Sequence, residues 1–111
     1  MTIKKLIADF GLEVFSDGKE SEIEKFYIGD LLSWVMGKAE RNCCWLTIMS
    51  NVNVAAVAAL IECGCVVLCE SVRPDQALKD KMQELGIYLL GTGMTTFEFA
   101  QKFALTGKRC L

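Results

Sequence analysis

The stretch Trp45-Leu46-Thr47-Ile48-Met49-Ser50-Asn51-Val52-Asn53-Val54-Ala55-Ala56-Val57-Ala58-Ala59-Leu60-Ile61-Glu62-Cys63-Gly64-Cys65-Val66-Val67-Leu68-Cys69 contains one whole repeat of the fold. Trp45 to Met49 and Val66 to Cys69 are short, continuous apolar runs, the pattern of strands covered on both faces. Between them, Ser50, Asn51 and Asn53 turn the chain into a helix expected over Val54 to Cys63. Strand, helix and strand in that order imply two parallel strands joined by a right-handed crossover.

The pattern repeats outward in both directions. Upstream, Phe26-Tyr27-Ile28 meets Gly29-Asp30, and Leu31, Leu32, Val35, Met36 and Ala39 then follow at helical spacing. Downstream, Glu70-Ser71-Val72-Arg73-Pro74-Asp75 leads into a helix with Leu78, Met82 and Leu85, which Gly86 ends. Pro74 suits the first turn of that helix. Ile87 to Leu90 reads as a further strand, then Gly91-Thr92-Gly93-Met94 as a turn. A last helix starts at Thr95 or Thr96, with an apolar stripe of Phe97, Ala100, Phe103 and Ala104. Thr95 and Glu98 have the spacing of a capping box. At the other end, Ile3, Leu6, Ile7 and Phe10 form a helical stripe that Thr2 can cap and Gly11 can end. Leu12 to Ser16 reads as a strand broken by Asp17-Gly18, and Lys19 to Lys25 as a polar loop. The expectation is an α/β fold with a mainly parallel sheet and helices on both faces.

Length and charge narrow the function. The 111 residues suit one domain over 1–111, and the net charge is −2 with no basic stripe. Nucleic-acid binders usually cluster their positive charge, so that class is not expected. The longest apolar run, Val54 to Ile61, falls short of the roughly 20 residues of a membrane span. The start of the chain lacks the long apolar run and cleavage site of a signal peptide. A cytoplasmic location is therefore expected, with no membrane partner.

The sequence has six cysteines and no histidine. Cys43, Cys44, Cys63, Cys65, Cys69 and Cys110 form no Cys-x-x-Cys pair. Buried inert thiols are the first expectation, with a metal site and redox disulfides as the alternatives. Without histidine, a Ser/His or Cys/His nucleophile is excluded within one chain. Asp30, Asp75 and Glu98 read as helix caps or first-turn charges rather than acid/base catalysts. No P-loop or Gly-x-Gly-x-x-Gly occurs, and Gly91-Thr92-Gly93 reads as a tight turn with glycine at positive φ. No cofactor is expected. If a ligand binds, the C-terminal strand ends are where it would sit, at Gly29, Asp30, Ser50, Asn51, Asn53, Glu70, Ser71, Thr92, Gly93 and Thr95. These small polar residues equally suit capping and turn formation alone.

The run Gly29-Asp30-Leu31-Leu32-Ser33-Trp34-Val35-Met36 resembles the opening of DRTGG-type domains. The likeness continues through the Ala-rich helix near Val54 to Leu60, Gly86-Ile87-Tyr88-Leu89-Leu90-Gly91-Thr92 and the Thr95-Thr96-Phe97-Glu98 helix start. It implies a fold like the N-terminal domain of HPr kinase/phosphorylase, without that enzyme's P-loop domain. In that family the domain is a regulatory or assembly module. The name-giving Asp-Arg-Thr-Gly-Gly is absent, and Ser50-Asn51-Val52-Asn53 follows the strand instead.

The expected function is a non-catalytic regulatory or interaction domain, homodimeric and acting with a separate effector protein. The alternative is a sensor of a small polar or anionic ligand. A dimer interface is expected at Trp34, Val54, Ala55, Ala56, Ala58 and Ala59, because the helix after Asn53 is apolar all round for two turns. The competing reading makes that helix central, covered by its own neighbours.

Overall fold

The computed structural model describes residues 1–106. Helix α1 (Ile3–Phe10) is followed by strand β1 (Glu13–Ser16), β2 (Phe26–Ile28), α2 (Leu32–Lys38), β3 (Cys44–Thr47) and α3 (Asn53–Leu60). Then come β4 (Cys65–Leu68), α4 (Gln76–Leu85), β5 (Tyr88–Gly91) and α5 (Thr96–Leu105). The five strands form one sheet in the order β1-β5-β4-β3-β2. Strands β2 to β5 are parallel, and β1 pairs antiparallel with β5.

This order sets the layers. Each step from β2 to β5 moves to the next neighbour in one direction, so right-handed crossovers place their helices on one face. Accordingly, Val35 of α2, Val54, Ala55 and Ala58 of α3, and Leu78 and Met82 of α4 share a core with Trp45, Val66 and Leu89. On the other face, Ile3, Leu6 and Phe10 of α1 and Phe99 and Phe103 of α5 cover Cys44, Leu46, Val67 and Leu90. Successive strand residues point to opposite faces, and both faces are covered. That is why the strands read as unbroken apolar runs.

Local signals set most helix ends. Thr2 Oγ1 accepts from the Lys5 amide, and Gly11 ends α1 at φ 60°. Thr95 and Glu98 make the full capping box of α5. Gly86, at φ 70°, closes α4. Helix α3 stops at Leu60 rather than Cys63, because Glu62 turns left-handed at φ 53°. There the Cys63 amide donates to Ala58 O, and the Glu62 amide donates to Ala59 O. This is the usual glycine-type helix ending, made here with glutamate.

Four details differ from the sequence reading. Pro74 lies ahead of α4, outside its first turn, and Asp75 at the cap position makes no side-chain cap bond. In α5 the buried face carries Phe99 and Phe103, while Phe97 is 72% exposed. Phe99 is drawn inward by Phe10, whose ring lies 4.7 Å away. Gly91 and Gly93 have no positive φ. Glycine is needed at 91 for space, since a Cβ there would come within 2.7 Å of Phe15 Cζ. The left-handed residues of this rim are Glu70 and Ser71, both at φ 59°.

Candidate functional site

All ten residues expected to face a ligand lie at the rim formed by the C-terminal ends of β2 to β5, but they do not form one site. Asp30 caps no helix. Its Oδ1 accepts from Thr47 Oγ1 at 2.7 Å and from the Ile48 amide at 3.0 Å, tying the ends of β2 and β3 together. Beside it, the carbonyl of Gly29 accepts from the Trp45 indole at 2.8 Å. Asn51 Oδ1 accepts from the Asn53 amide and starts α3. Ser50 O accepts from the Asp75 amide, holding the entrance of α4. Thr95 is occupied by its capping box. Glu70 and Ser71 donate their amides to Met94 O and Thr92 O, which joins the β4 and β5 ends.

Ser71, Thr92 and Gly93 do come together. With Gly11, Glu13, Phe15, Val72, Arg73 and Gly91 they line a cavity of about 250 Å³. It lies where the chain leaves β4 toward α4 on one face and leaves β5 toward α5 on the other. Loops that part in this way open a crevice at the strand ends, the usual ligand position in parallel α/β sheets. Arg73 Nη1 donates to Glu13 Oε1 at 2.8 Å, and its guanidinium lies 4.8 Å from the centre of the Phe15 ring. The sequence reading missed Arg73, Glu13 and Phe15. Arg73 follows a strand end and could have been noticed. Glu13 and Phe15 sit there only because β1 pairs with β5, and no local pattern shows that.

Of the residues expected at an interface, Val54, Ala55 and Ala58 are fully buried against the sheet. Helix α3 runs between α2 and α4, so its inner side belongs to the core of its own chain. Ala56 and Ala59 face outward with Val52 and Leu60, the latter 67% exposed. On neighbouring α2, Trp34 is 59% exposed, and Met36 and the preceding Leu31 are exposed too.

The cysteines Cys43, Cys44, Cys63, Cys65 and Cys69 are free thiols buried in the two cores, and Cys110 lies outside the described residues. Among the described residues, no group of three or more His, Cys, Asp or Glu side chains is placed to hold a metal ion. Burial pushes Cys69 up to about 12, with help from the charges of Glu70 and Asp30. Burial likewise holds Cys44 well above the ordinary thiol range, and contact with the Cys43 thiol does so for Cys63. Cys43 shifts the other way, lowered by its hydrogen bond with Cys63, so that pair opposes itself. In the folded chain Cys44 and Cys69 keep protons that the unfolded chain releases from about pH 9 upward, so their contribution to stability falls as pH rises through that window. The urea midpoint is expected to drop between about pH 8 and about pH 10.5, and less steeply in Cys69→Ala. Equal slopes in the two proteins would show that Cys69 does not contribute.

The chain shares its fold with part of the CBS and DRTGG domains in the regulatory region of a Clostridium perfringens pyrophosphatase. The TM-score is 0.72 at 6% identity, over 89% of this chain and 44% of that one. The fold is DRTGG-like. The family resemblance read from the sequence is thus borne out at the level of the fold. That structure was determined in complex with the pyrophosphatase's activator, diadenosine tetraphosphate. This chain spans less than half of that regulatory region. No family model matches the sequence, and no curated protein does. Among the described residues, no helix of the DRTGG-like fold is long and apolar enough to cross a membrane.

Proposed function

We propose that this chain is a non-catalytic regulatory or interaction domain, working in the cytoplasm as a homodimer together with a separate effector protein. The observation that carries the reading is the outward face of α2 and α3. Leu31, Trp34, Val52 and Leu60 are exposed on or just ahead of these two helices, as are Ala56 and Ala59 of α3. Helix α3 has no charged residue, and α2 has only Lys38, at its C-terminal end. Large apolar side chains exposed together on neighbouring helices are a feature of interaction sites. Lys38 lies over the Trp34 ring, 5.3 Å from its centre, and the rest of the face carries no charge. A surface with so little charge suits a second copy of itself, because a two-fold contact sets the same patch against itself. The alanines let another helix approach closely, and Trp34 is the kind of aromatic residue enriched at interfaces. A regulatory role is supported by the fold shared with a regulatory region and by the lack of any histidine base.

Light scattering at micromolar concentration is expected to give twice the mass of one chain. Ala56→Glu is expected to halve that mass while leaving the circular dichroism spectrum and melting behaviour of a folded chain, since Ala56 faces outward. A wild-type mass of one chain rejects the dimer. A dimer that survives both Ala56→Glu and Trp34→Glu places the interface elsewhere.

The second reading, a sensor of a small polar or anionic ligand, is favoured by the cavity between the β4 and β5 ends.

A further inference from the structure

We propose that this cavity is a binding site for a small metabolite carrying one anionic group, a carboxylate or a phosphate, which Arg73 grips after the anion displaces Glu13. The proposal rests on the ligand-sensing reading and gives it a site and a chemistry.

The site is built from three segments far apart in sequence. Strand β1 contributes Glu13 and Phe15. Its pairing with β5 shifts register between Val14 and Ser16, which leaves Phe15 as the extra residue of a bulge. Bulges re-aim side chains and are common beside functional sites. The ring rests on Gly91, where any larger residue would collide with it. Arg73 arrives from the β4–α4 turn and stacks over the ring. The turn itself is strained, with Glu70 and Ser71 left-handed in succession, and two backbone bonds to the β5–α5 segment hold it.

The chemistry follows from Arg73. A guanidinium has five donors in a planar fork that matches carboxylate and phosphate oxygens. Here Glu13 takes one nitrogen of that fork. Both partners of the pair are more than half exposed, so the pair is weakly held and a second anion can replace Glu13 at little cost. The ring under Arg73 keeps the guanidinium in place when Glu13 leaves. Arg73 is the one cationic side chain among the described residues that line the cavity, which suits a ligand with a single anionic group. The volume of about 250 Å³ lies below the roughly 300–1,000 Å³ of pockets for drug-sized ligands, so the ligand is small.

The test is an amide-detected NMR titration of the full chain with inorganic phosphate in one arm and acetate in the other. Saturable shifts are expected at Phe15, Arg73 and Gly91 to Gly93, at millimolar concentration, in at least one arm. The responding arm tells phosphate from carboxylate. Glu13→Gln is expected to tighten binding about three- to tenfold, because it removes the competing charge. Arg73→Gln is expected to weaken it by about tenfold or more, and Arg73→Lys to fall between. A purely structural ion pair would not raise affinity when Glu13 is neutralised. Shifts confined to Asn51 and Asn53 and unaffected by Arg73→Gln would overturn this site while leaving ligand sensing at the rim intact. The absence of saturable shifts in both arms at about 10 mM overturns the proposal, as does unchanged or weaker binding by Glu13→Gln.

Discussion

Trp45→Ala is expected to remove about 3–5 kcal/mol of folding stability, the usual loss for a large aromatic residue truncated in a core. Trp45 is fully buried on β3, with β2 and β4 on either side. It belongs to the cluster in which Val35 of α2 and Val54 of α3 meet the sheet. Truncation leaves a cavity at the middle of that layer, and a close-packed interior collapses into such a space only in part. The substitution also removes the donor of the 2.8 Å bond to Gly29 O, which anchors the end of β2. Against a typical total of about 5–15 kcal/mol, such a loss leaves the domain marginal or unfolded. The melting temperature is expected to fall by about 15 °C or more. Trp45→Phe keeps most of the packing and loses the hydrogen bond, so its expected cost is smaller, about 1–3 kcal/mol. Thermal and urea melts of the two variants check this. A Trp45→Ala melting point within about 5 °C of wild type would contradict the anchoring role.

Gly18→Ala is the second large effect, expected to cost about 3 kcal/mol, the upper part of the range for overpacking. A Cβ at position 18 would lie 2.6 Å from Ile87 C and 2.9 Å from Gly86 O, and would also collide with the Tyr88 amide nitrogen. These are backbone atoms of the α4–β5 turn, so no side chain can rotate away to make room. Relief requires the segment after β1 to lift from the turn, which breaks the 2.9 Å bond from the Lys19 amide to Gly86 O. Asp17→Ala is the control. Asp17 is exposed, and its substitution is expected to change stability by less than about 0.5 kcal/mol. Equal urea midpoints for Gly18→Ala and wild type would show that the close approach is not rigid.

Gly18 and Gly91 show where reading the sequence stops. Both stand in turn-like contexts, Asp17-Gly18 and Gly91-Thr92-Gly93, and glycine there suggests a demand on φ. Neither position has a positive φ. Each is glycine because another segment presses on it, the α4–β5 turn in one case and the Phe15 ring in the other. Composition can mark such a residue, but only the packed chain shows what touches it. Helix α5 fails in a similar way. Phe97 and Phe99 both fit an apolar helical face within a short helix, and the choice fell to Phe10 on α1, at the opposite end of the described chain. For α3, an apolar run without a polar face left a core position and an interface position open. The structure gives Val54, Ala55 and Ala58 to the core and leaves Ala56 and Ala59 outside.

By itself the sequence determined what depends on neighbours a few residues apart. Those features are the alternation of strand and helix, the two-sided burial of β3 to β5, the caps at Thr2, Gly11, Gly86 and Thr95 with Glu98, and hence the mainly parallel sheet. They are legible because backbone hydrogen bonds within a helix turn and the periodicity of a covered strand are local. Tertiary structure alone decided that β1 runs antiparallel beside β5, that α4 and α5 part to opposite faces, and that Glu13, Phe15 and Arg73 meet. Glu13 and Arg73 are 60 residues apart. Such a meeting is set by which edge strand completes the sheet, a choice made by the summed packing of both faces and not by any residue's own preference.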